Sequence, residues 1–311
     1  MKASHFFEAK PSISRNGSKS TKQAFAALAL LTIIWGYNWV AMKVGIRYCE
    51  PFAFTALRLL PGSIVIFLLA ALLKYPLKMP APKYTITISI LQTGGFSGLT
   101  IWALESGGAG KVAVLAYIMP FWVLIMAWPI LGEKIQGLQW VATGSALIGL
   151  FLIISPWHMT DSLQSSIIAV IASFLWGVGS ILIKLMQRKQ PINILSFTAW
   201  QLLIGGSLLA MVAILRFNTQ PIWSSGAFII ALVFNILIAT ALGWILWIYA
   251  LKNLSAGTVG VGSLAIPVVG VLSAWIQLHE QPDLWEALGM LLIIVALTIL
   301  TVRGILMDRR V

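Results

Sequence analysis

Long apolar stretches alternate with short polar ones along most of the chain. Because the hydrocarbon core of a bilayer is about 30 Å thick, a membrane-spanning helix needs roughly 17 to 25 predominantly apolar residues. Ten stretches meet this length, and they cover residues 25–46, 52–73, 85–104, 112–131, 138–154, 166–185, 194–215, 227–250, 258–278 and 284–306. A backbone in lipid must satisfy its own polar groups, so each stretch is predicted to be a helix. The pattern predicts an all-α membrane protein with ten transmembrane helices.

The composition excludes a soluble globule. Of the 311 residues, 59% are hydrophobic and 10% are charged, whereas an ordinary soluble domain has about 25% charged residues. The ten predicted spans contain five charged side chains, and among these only Arg58 lies well inside a span. A surface this poor in charge is suited to lipid rather than to water.

The motifs of common enzymes and metal sites are absent from the sequence. Cys49 is the single cysteine, and the three histidines are His5, His158 and His279. No paired-cysteine, zinc-protease, nucleophile-elbow or phosphate-loop string occurs. We therefore expect no catalytic residues, no metal and no cofactor, and the protein is not expected to be an enzyme.

The basic residues predict the orientation in the membrane. Of the 21 Lys and Arg residues, sixteen fall on the side of the N-terminal tail and four on the opposite side, namely Lys43, Arg47, Lys111 and Arg216. Because basic loops stay in the cytoplasm, both termini are predicted to be cytoplasmic, with basic tails at residues 1–24 and 307–311 of a multi-pass inner-membrane protein. The net charge of +12 fits anionic membrane lipid, and no nucleic-acid partner is expected.

The chain contains an internal repeat. The pattern W-G, six residues, then K occurs at 35–43 and again at 176–184, and R-L-L-P-G at 58–62 matches Q-L-L-I-G at 201–205. Each half, residues 25–155 and 164–306, holds five predicted spans, and an odd number gives the two copies opposite orientations. Two inverted-topology five-helix repeats are the construction of many secondary transporters that work by alternating access.

The strings that carry this repeat resemble those of a known family. A-L-E-S-G-G-A-G at 103–110, followed by Pro120 and L-G-E at 131–133, is answered by A-L-K-N-L-S-A-G at 250–257, Pro267 and Glu280. They resemble EamA-type transporters of the drug/metabolite transporter superfamily. The resemblance implies two EamA-like repeats and export of a small-molecule substrate, often an amino acid or an amphiphilic metabolite, across a cell membrane. A passive channel or a membrane scaffold is the alternative, and homo-oligomer formation stays open.

Residues in the middle of the spans are the candidates for a substrate pathway. Asn38 is costly in lipid, so its helical face, spaced i, i+3, i+4 and i+7, should point inward. The matched prolines lie roughly 13 Å deep, near the midplane. Each candidate could instead be a packing residue or a bond between helices. The candidates are Trp35, Asn38, Trp39, Met42, Pro120, Trp176, Ser180 and Pro267, with Gln92, Trp102, Tyr117, Gln201, Asn235 and Tyr249 as a second tier.

Four charged residues are candidates for gating. Arg58 needs a partner inside the membrane, and Glu105 lies at the end of the third span on the same side, so we expect an ion pair at the mouth of the pathway. Glu105 could also serve as a gate or contact an ammonium group. Glu133 and Glu280 hold equivalent repeat positions and are expected to stabilise a helix end or to gate each entrance. No carboxylate or histidine occupies the middle of a span, which favours facilitated or weakly coupled export over tight proton antiport.

Overall fold

The computed structural model describes residues 15–132, 137–154, 162–190, 192–216, 221–254 and 265–308, and this part of the chain is helical without any strand. The α-helices, numbered in chain order, are α1 Arg15–Gly45, α2 Pro51–Leu72, α3 Pro82–Ile88, α4 Ser97–Ser106, α5 Ala109–Ala116, α6 Met119–Leu131, α7 Leu138–Ile154, α8 Ser162–Lys189, α9 Ile194–Arg216, α10 Gly226–Val233, α11 Gly243–Asn253, α12 Ala265–Leu278 and α13 Leu284–Asp308.

Helices fall on all ten predicted apolar stretches, although residues 258–264 lie outside the described ranges. Among the described residues, six helical segments are long and apolar enough to cross a membrane, and three shorter helices are apolar. The first helix begins at Arg15, within the predicted N-terminal tail, rather than at residue 25. The all-helical prediction is therefore confirmed for this part of the chain, with a longer first helix.

The third and eighth predicted spans each contain a π-helical segment. The segment Ser89–Phe96, here π1, joins α3 to α4, and the segment Phe234–Leu242, here π2, joins α10 to α11. Wide turns of this kind are rare and often occur at functional sites. Apolar periodicity does not distinguish them from α-helix, so the sequence did not predict them.

Polar side chains fix where several helices begin. The Glu50 carboxylate accepts a hydrogen bond from the Ala53 N–H over 2.7 Å at the start of α2, and Pro51 occupies the first turn. Ser225 caps α10 through the Phe228 N–H, and Asp283 caps α13 through the Glu286 N–H. Such caps satisfy N–H groups that have no partner within the helix.

Helices from the first half pack against helices from the second half in matching pairs. The helix α2 lies along α9, and α7 lies along α13. The contact of α1 with α12 is matched by the contact of α8 with α6, and the contact of α1 with π2 is matched by that of α8 with π1. The centre of the bundle is therefore an interface between the two halves.

Glycines allow the close approach in one such matched pair. A Cβ atom at Gly36 would lie 2.5 Å from the Val269 side chain of α12, and a Cβ atom at Gly177 would lie 2.8 Å from Trp122 Cβ of α6. Glycine lets helix backbones approach closely, which is how helices associate in a membrane where lipid is as apolar as the side chains. Both glycines belong to the repeated W-G string.

Candidate functional site

A hydrogen-bond network in the interior joins four of the predicted pathway residues. Gln92 of π1 donates from Nε2 to the Trp176 carbonyl oxygen over 3.1 Å and to Ser180 Oγ over 3.0 Å. Its Oε1 accepts a hydrogen bond from Gln201 Nε2 over 3.2 Å. The Gln92 side chain is 4% exposed and that of Gln201 is 8% exposed. The network joins α8, α9 and π1, so these amides satisfy one another.

The two repeated tryptophans pack against the two π-helical segments. Trp35 donates from Nε1 to the Ala239 carbonyl oxygen of π2 over 2.9 Å, and its ring lies 5.7 Å from that of Trp247. The Trp176 ring lies 4.6 Å from that of Phe96 at the end of π1. A π-helical turn leaves backbone carbonyls without a regular partner in the helix, and the Trp35 indole satisfies one of them.

A second group of interior polar atoms has no hydrogen-bond partner. Three of these atoms are Arg58 Nε of α2, Asn38 Oδ1 of α1 and Asn235 Oδ1 of π2, and the others in the described part of the chain are Glu50 Oε1 before α2 and Thr100 Oγ1 of α4. The Asn235 side chain is 0% exposed, and its Nδ2 donates to the carbonyl oxygen of Ala231 in its own helix over 2.9 Å. Buried polar groups are almost always satisfied in native structures, which makes this group distinct from the Gln92 network.

The fourth predicted span is divided into two helices that have opposite environments. All eight residues of α5 are buried, whereas only Phe121 and Ala127 are buried in α6. Tyr117 lies at the break, and Pro120 lies in the first turn of α6 rather than within a continuous kinked helix. Proline is tolerated at that position because the N–H of the first turn has no helical partner.

Charged residues close one end of the bundle, here called the Lys43 end. Lys43 Nζ donates to the Gly107 carbonyl oxygen over 2.9 Å and also contacts that of Leu104. Lys111 Nζ lies 2.5 Å from Glu286 Oε1. Glu280 accepts a hydrogen bond from the Gly110 N–H over 3.2 Å. These contacts join the ends of α1, α4, α5 and α12 to the start of α13.

A cleft of about 230 Å³ lies at the Lys43 end. Its walls include Gly110, Lys111, Glu280 and Glu286. Glu280 lies beside this cleft, whereas Glu133 lies outside the described residues. Within the described ranges, no group of three or more His, Cys, Asp or Glu side chains could hold a metal ion.

The predicted ion pair between Arg58 and Glu105 is wrong for this structure. Glu105 is exposed, and its backbone carbonyl accepts a hydrogen bond from Lys43 over 3.3 Å. Arg58 lies inside the bundle, and no ion pair of its guanidinium occurs in the described part of the chain.

The remaining predicted pathway residues lie in packed or peripheral positions. Trp39 and Met42 are buried in the main apolar core, and Pro267 is buried in α12. The Trp102 ring lies 5.3 Å from the guanidinium carbon of Arg216, and Tyr249 donates to Gln23 Oε1 over 3.4 Å. The structure therefore gathers the polar candidates into the two interior groups and assigns the large apolar ones to helix packing.

Three charged residues at the Lys43 end are not among the predicted site residues, namely Lys43, Lys111 and Glu286. Lys111 and Glu286 were interpreted as ordinary charges near span ends, yet they form a partly buried ion pair. Lys43 carried a usable signal, because it ends the repeated W-G string. For Lys111 and Glu286, which are far apart in sequence, no such signal existed.

Comparisons with known proteins agree with this architecture. The chain is similar to the uncharacterized transporter YoaV of Bacillus subtilis, with 29% identity over 85% of this chain and 91% of YoaV. It is also similar to a probable amino-acid metabolite efflux pump of Salmonella typhimurium, with 28% identity over 90% of this chain and 95% of that protein. The corresponding Escherichia coli protein is 26% identical over 90% of this chain and 95% of its own length.

A solved crystal structure and a family profile give the broader relationship. The crystal structure superimposes with a TM-score of 0.63 over 92% of this chain and 98% of that chain, at 19% identity, which supports the fold alone. The profile described as the EamA-like transporter family matches residues 23–155 and again residues 164–302. The two matches together cover most of the sequence, and the chain belongs to the EamA-like transporter family of membrane transporters.

Proposed function

We propose that this protein exports small organic metabolites, amino acids or related amphiphilic compounds, across the cytoplasmic membrane by alternating access. The relatives named as probable amino-acid metabolite efflux pumps support the substrate class. The charge bias of the loops supports cytoplasmic termini, and this orientation makes the Lys43 end the outer end. Ten spans in two inverted five-helix repeats are part of the proposal, and the matching helix pairs across the bundle support them.

The observation that carries the proposal is the contrast within the fourth span. At the Lys43 end, all of α5 is buried against α12 and α8, whereas in α6 beyond the break two of thirteen residues are buried, seven are half-buried and four are exposed. A continuous pore would leave both halves of the span equally accessible. A carrier that is closed at one end is expected to have one enclosed half and one more accessible half, and the lesser burial of α6 relative to α5 supports this proposal.

Alternating access requires the enclosed end to open at another stage of the cycle. The contacts that break during this opening are those of Lys43, Lys111, Glu280 and Glu286. These side chains are polar, so water hydrates them once they separate. The second repeat has the corresponding helices in the opposite orientation. Because inverted repeats can exchange their conformations, it can close the opposite end of the bundle when the Lys43 end opens. The break at Tyr117, followed by Pro120, lets α5 move relative to α6.

Counterflow in proteoliposomes tests this proposal against a passive channel. Liposomes containing the purified full-length protein are loaded with one unlabelled amino acid at a time, and uptake of trace radiolabelled amino acid is then measured. A carrier gives saturable uptake that overshoots equilibrium, whereas a pore gives neither. Protein-free liposomes are the control. Non-saturating uptake without overshoot would support a channel, and no uptake for any metabolite tested would support a scaffold.

The same liposomes test energy coupling. No carboxylate or histidine lies in the middle of a predicted span, so we propose facilitated or weakly coupled export. A pH gradient across the liposome membrane should then change the rate of exchange without producing accumulation of the labelled amino acid. Accumulation driven by the pH gradient alone would contradict this part of the proposal.

A further inference from the structure

We propose that Arg58, Asn38 and Asn235 bind the α-carboxylate and α-ammonium groups of a zwitterionic amino acid. This inference rests on the proposed function, because it assigns the substrate-binding groups of that transporter. It starts from a difference between the surroundings of the two π-helical segments. The Gln92 network around π1 is satisfied, whereas Asn38, Arg58 and Asn235 in and around π2 hold three of the five buried polar atoms that lack a partner in the described part of the chain.

A contact between a glycine and a threonine occurs twice, once beside each π-helical segment, and shows which residues of the two repeats correspond. A Cβ atom at Gly205 would lie 2.5 Å from Thr93 Cβ, and a Cβ atom at Gly62 would lie 2.7 Å from Thr240 Cγ2. One helical turn before Gly205 is Gln201, and one turn before Gly62 is Arg58. The residue before Thr93 is Gln92, whereas the residue before Thr240 is Ala239.

This correspondence shows that Ala239 occupies the position in the second repeat that Gln92 occupies in the first. Gln92 fills the space beside Gly179, because a Cβ atom at Gly179 would lie 2.3 Å from Gln92 Cγ. The W-G string matches Gly179 with Asn38, three residues after each tryptophan. Around π1 the three corresponding positions are therefore glutamine, glycine and glutamine, at Gln92, Gly179 and Gln201. Around π2 the same positions are alanine, asparagine and arginine, at Ala239, Asn38 and Arg58.

Packing contacts bring Asn38, Arg58 and Asn235 to the same level of the bundle. Phe54 meets Phe228 with ring centroids 6.2 Å apart, and Gly62 meets Thr240. Arg58 lies midway between Phe54 and Gly62 on α2. It is therefore level with the middle of the stretch 228–240, which includes Asn235. On α1, the Tyr37 ring lies 5.4 Å from that of Phe234, which places the next residue, Asn38, beside the same turn.

The chemistry of the three atoms is complementary to a zwitterion. The guanidinium of Arg58 is a donor and a positive charge, and it matches a carboxylate in geometry and charge. The Oδ1 atoms of Asn38 and Asn235 are acceptors, and an ammonium group supplies N–H donors. Because Asn235 Nδ2 is occupied by Ala231, its Oδ1 is the group that this side chain offers. Arg58 Nε is a buried donor without a hydrogen-bond partner, which costs free energy, and a bound carboxylate would accept its hydrogen bond.

Thermal stabilisation of the purified full-length protein tests the proposal. Each of the twenty protein amino acids is added separately, and each amino acid that raises the Tm is then compared with its decarboxylated amine and its deaminated acid. We expect at least one amino acid to raise the Tm and both of its analogues to fail. If no amino acid stabilises the protein, or if either analogue stabilises it equally well, the zwitterion site is wrong.

Variants locate the binding groups. We expect R58Q to weaken binding of the stabilising amino acid by about tenfold or more, because a charge-assisted hydrogen bond is lost, and R58K to retain part of the affinity. A239Q introduces the glutamine of the other half and should abolish binding while the protein remains folded. R47Q, which removes an exposed loop arginine, is the matched control. Unchanged affinity in R58Q and A239Q would overturn the assignment.

The outcome is separable from that of the proposed function. If an uncharged or anionic metabolite shows saturable counterflow and no amino acid binds, the transporter proposal stands and the zwitterion site fails. If an amino acid binds through Arg58 and no counterflow occurs, the binding site stands and transport fails. The triple variant N38G/R58Q/A239Q places the glutamine, glycine and glutamine of the Gln92 network around π2, with Trp39 where that network has the Ser180 hydroxyl, and we expect a folded protein that has lost binding.

Discussion

The side-chain amide of Gln201 donates a hydrogen bond to Gln92 Oε1 over 3.2 Å, which joins α9 to π1 in the interior of the bundle. The Gln92 Nε2 donates to Ser180 Oγ and to the Trp176 carbonyl oxygen. The Gln92 side chain thus ties π1 to two neighbouring helices, α8 and α9. The network fixes π1 against the second half of the protein.

The first prediction concerns the stability supplied by this network. Replacing Gln92 with Leu should lower the free energy of unfolding by about 1–3 kcal/mol, because Gln201 is left with a buried donor that lacks a partner. Thermal unfolding of the purified protein in detergent measures the change. Gln190→Leu alters an exposed glutamine at the end of α8 and should stay within about 0.5 kcal/mol. Equal stability of the Gln92 variant and the native protein would contradict the role of the network.

The second prediction concerns the single cysteine. Burial, with a smaller effect of the nearby Glu50 charge, raises the pKa of the Cys49 thiol to about 12. A raised pKa keeps the thiol protonated below that value, and the reactive thiolate increases as the pH rises. N-ethylmaleimide should therefore label the native protein slowly at pH 7, and faster at each higher pH up to about 10. The protein unfolded in sodium dodecyl sulfate is the control, and equally fast labelling of both states at pH 7 would contradict burial.

The third prediction concerns orientation. In a Cys49→Ala background, a cysteine at Arg47 and a cysteine at Lys83 replace two exposed residues at opposite ends of the bundle. A membrane-impermeant maleimide added to intact cells should label the Arg47→Cys protein, because that loop is proposed to be outside. The Lys83→Cys protein should be labelled only after the cells are permeabilised. The reverse pattern would invert the proposed topology, and labelling of both in intact cells would contradict the span count.

The sequence predicted the helices well, because lipid leaves the backbone few alternatives. Bilayer thickness sets the length of an apolar run, and a helix satisfies its own polar groups. The predicted fifth span, residues 138–154, coincides with α7 Leu138–Ile154. The wide turns of π1 and π2 were missed because the same apolar residues fit either helix type. Their formation depends on partners such as Trp35, which are distant in sequence.

The sequence predicted the polar residues of the site better than their partners. Ser180 is a candidate as a repeat counterpart of the Asn38 face, Gln92 and Gln201 are second-tier candidates, and the three side chains meet in the interior. The sequence pairs Arg58 with Glu105 because Arg58 needs a partner inside the membrane and Glu105 follows the third span on the same side. Pairing depends on side-chain direction and on helix register, which spacing along one chain does not give. The small size of Ala239 matters only beside its counterpart Gln92, and that comparison needs the packed bundle.

The closure between α5 and α12 at the Lys43 end provides the most direct test of alternating access. A Cβ atom at Gly110 would lie 3.6 Å from Ala274 Cβ, within the range of about 3.5–4.5 Å that a disulfide needs. The Gly110→Cys and Ala274→Cys double variant is made in the Cys49→Ala background, and each single variant serves as a control. Oxidation should join α5 to α12 in the double variant alone.

Counterflow by this double variant in proteoliposomes is then measured before oxidation, after oxidation and after reduction of the same sample. If the protein works by opening the Lys43 end once per cycle, oxidation abolishes counterflow and reduction restores it, while the oxidised single variants stay active. Full counterflow by the cross-linked protein would mean that α5 and α12 never separate during transport, and alternating access through this end would be contradicted.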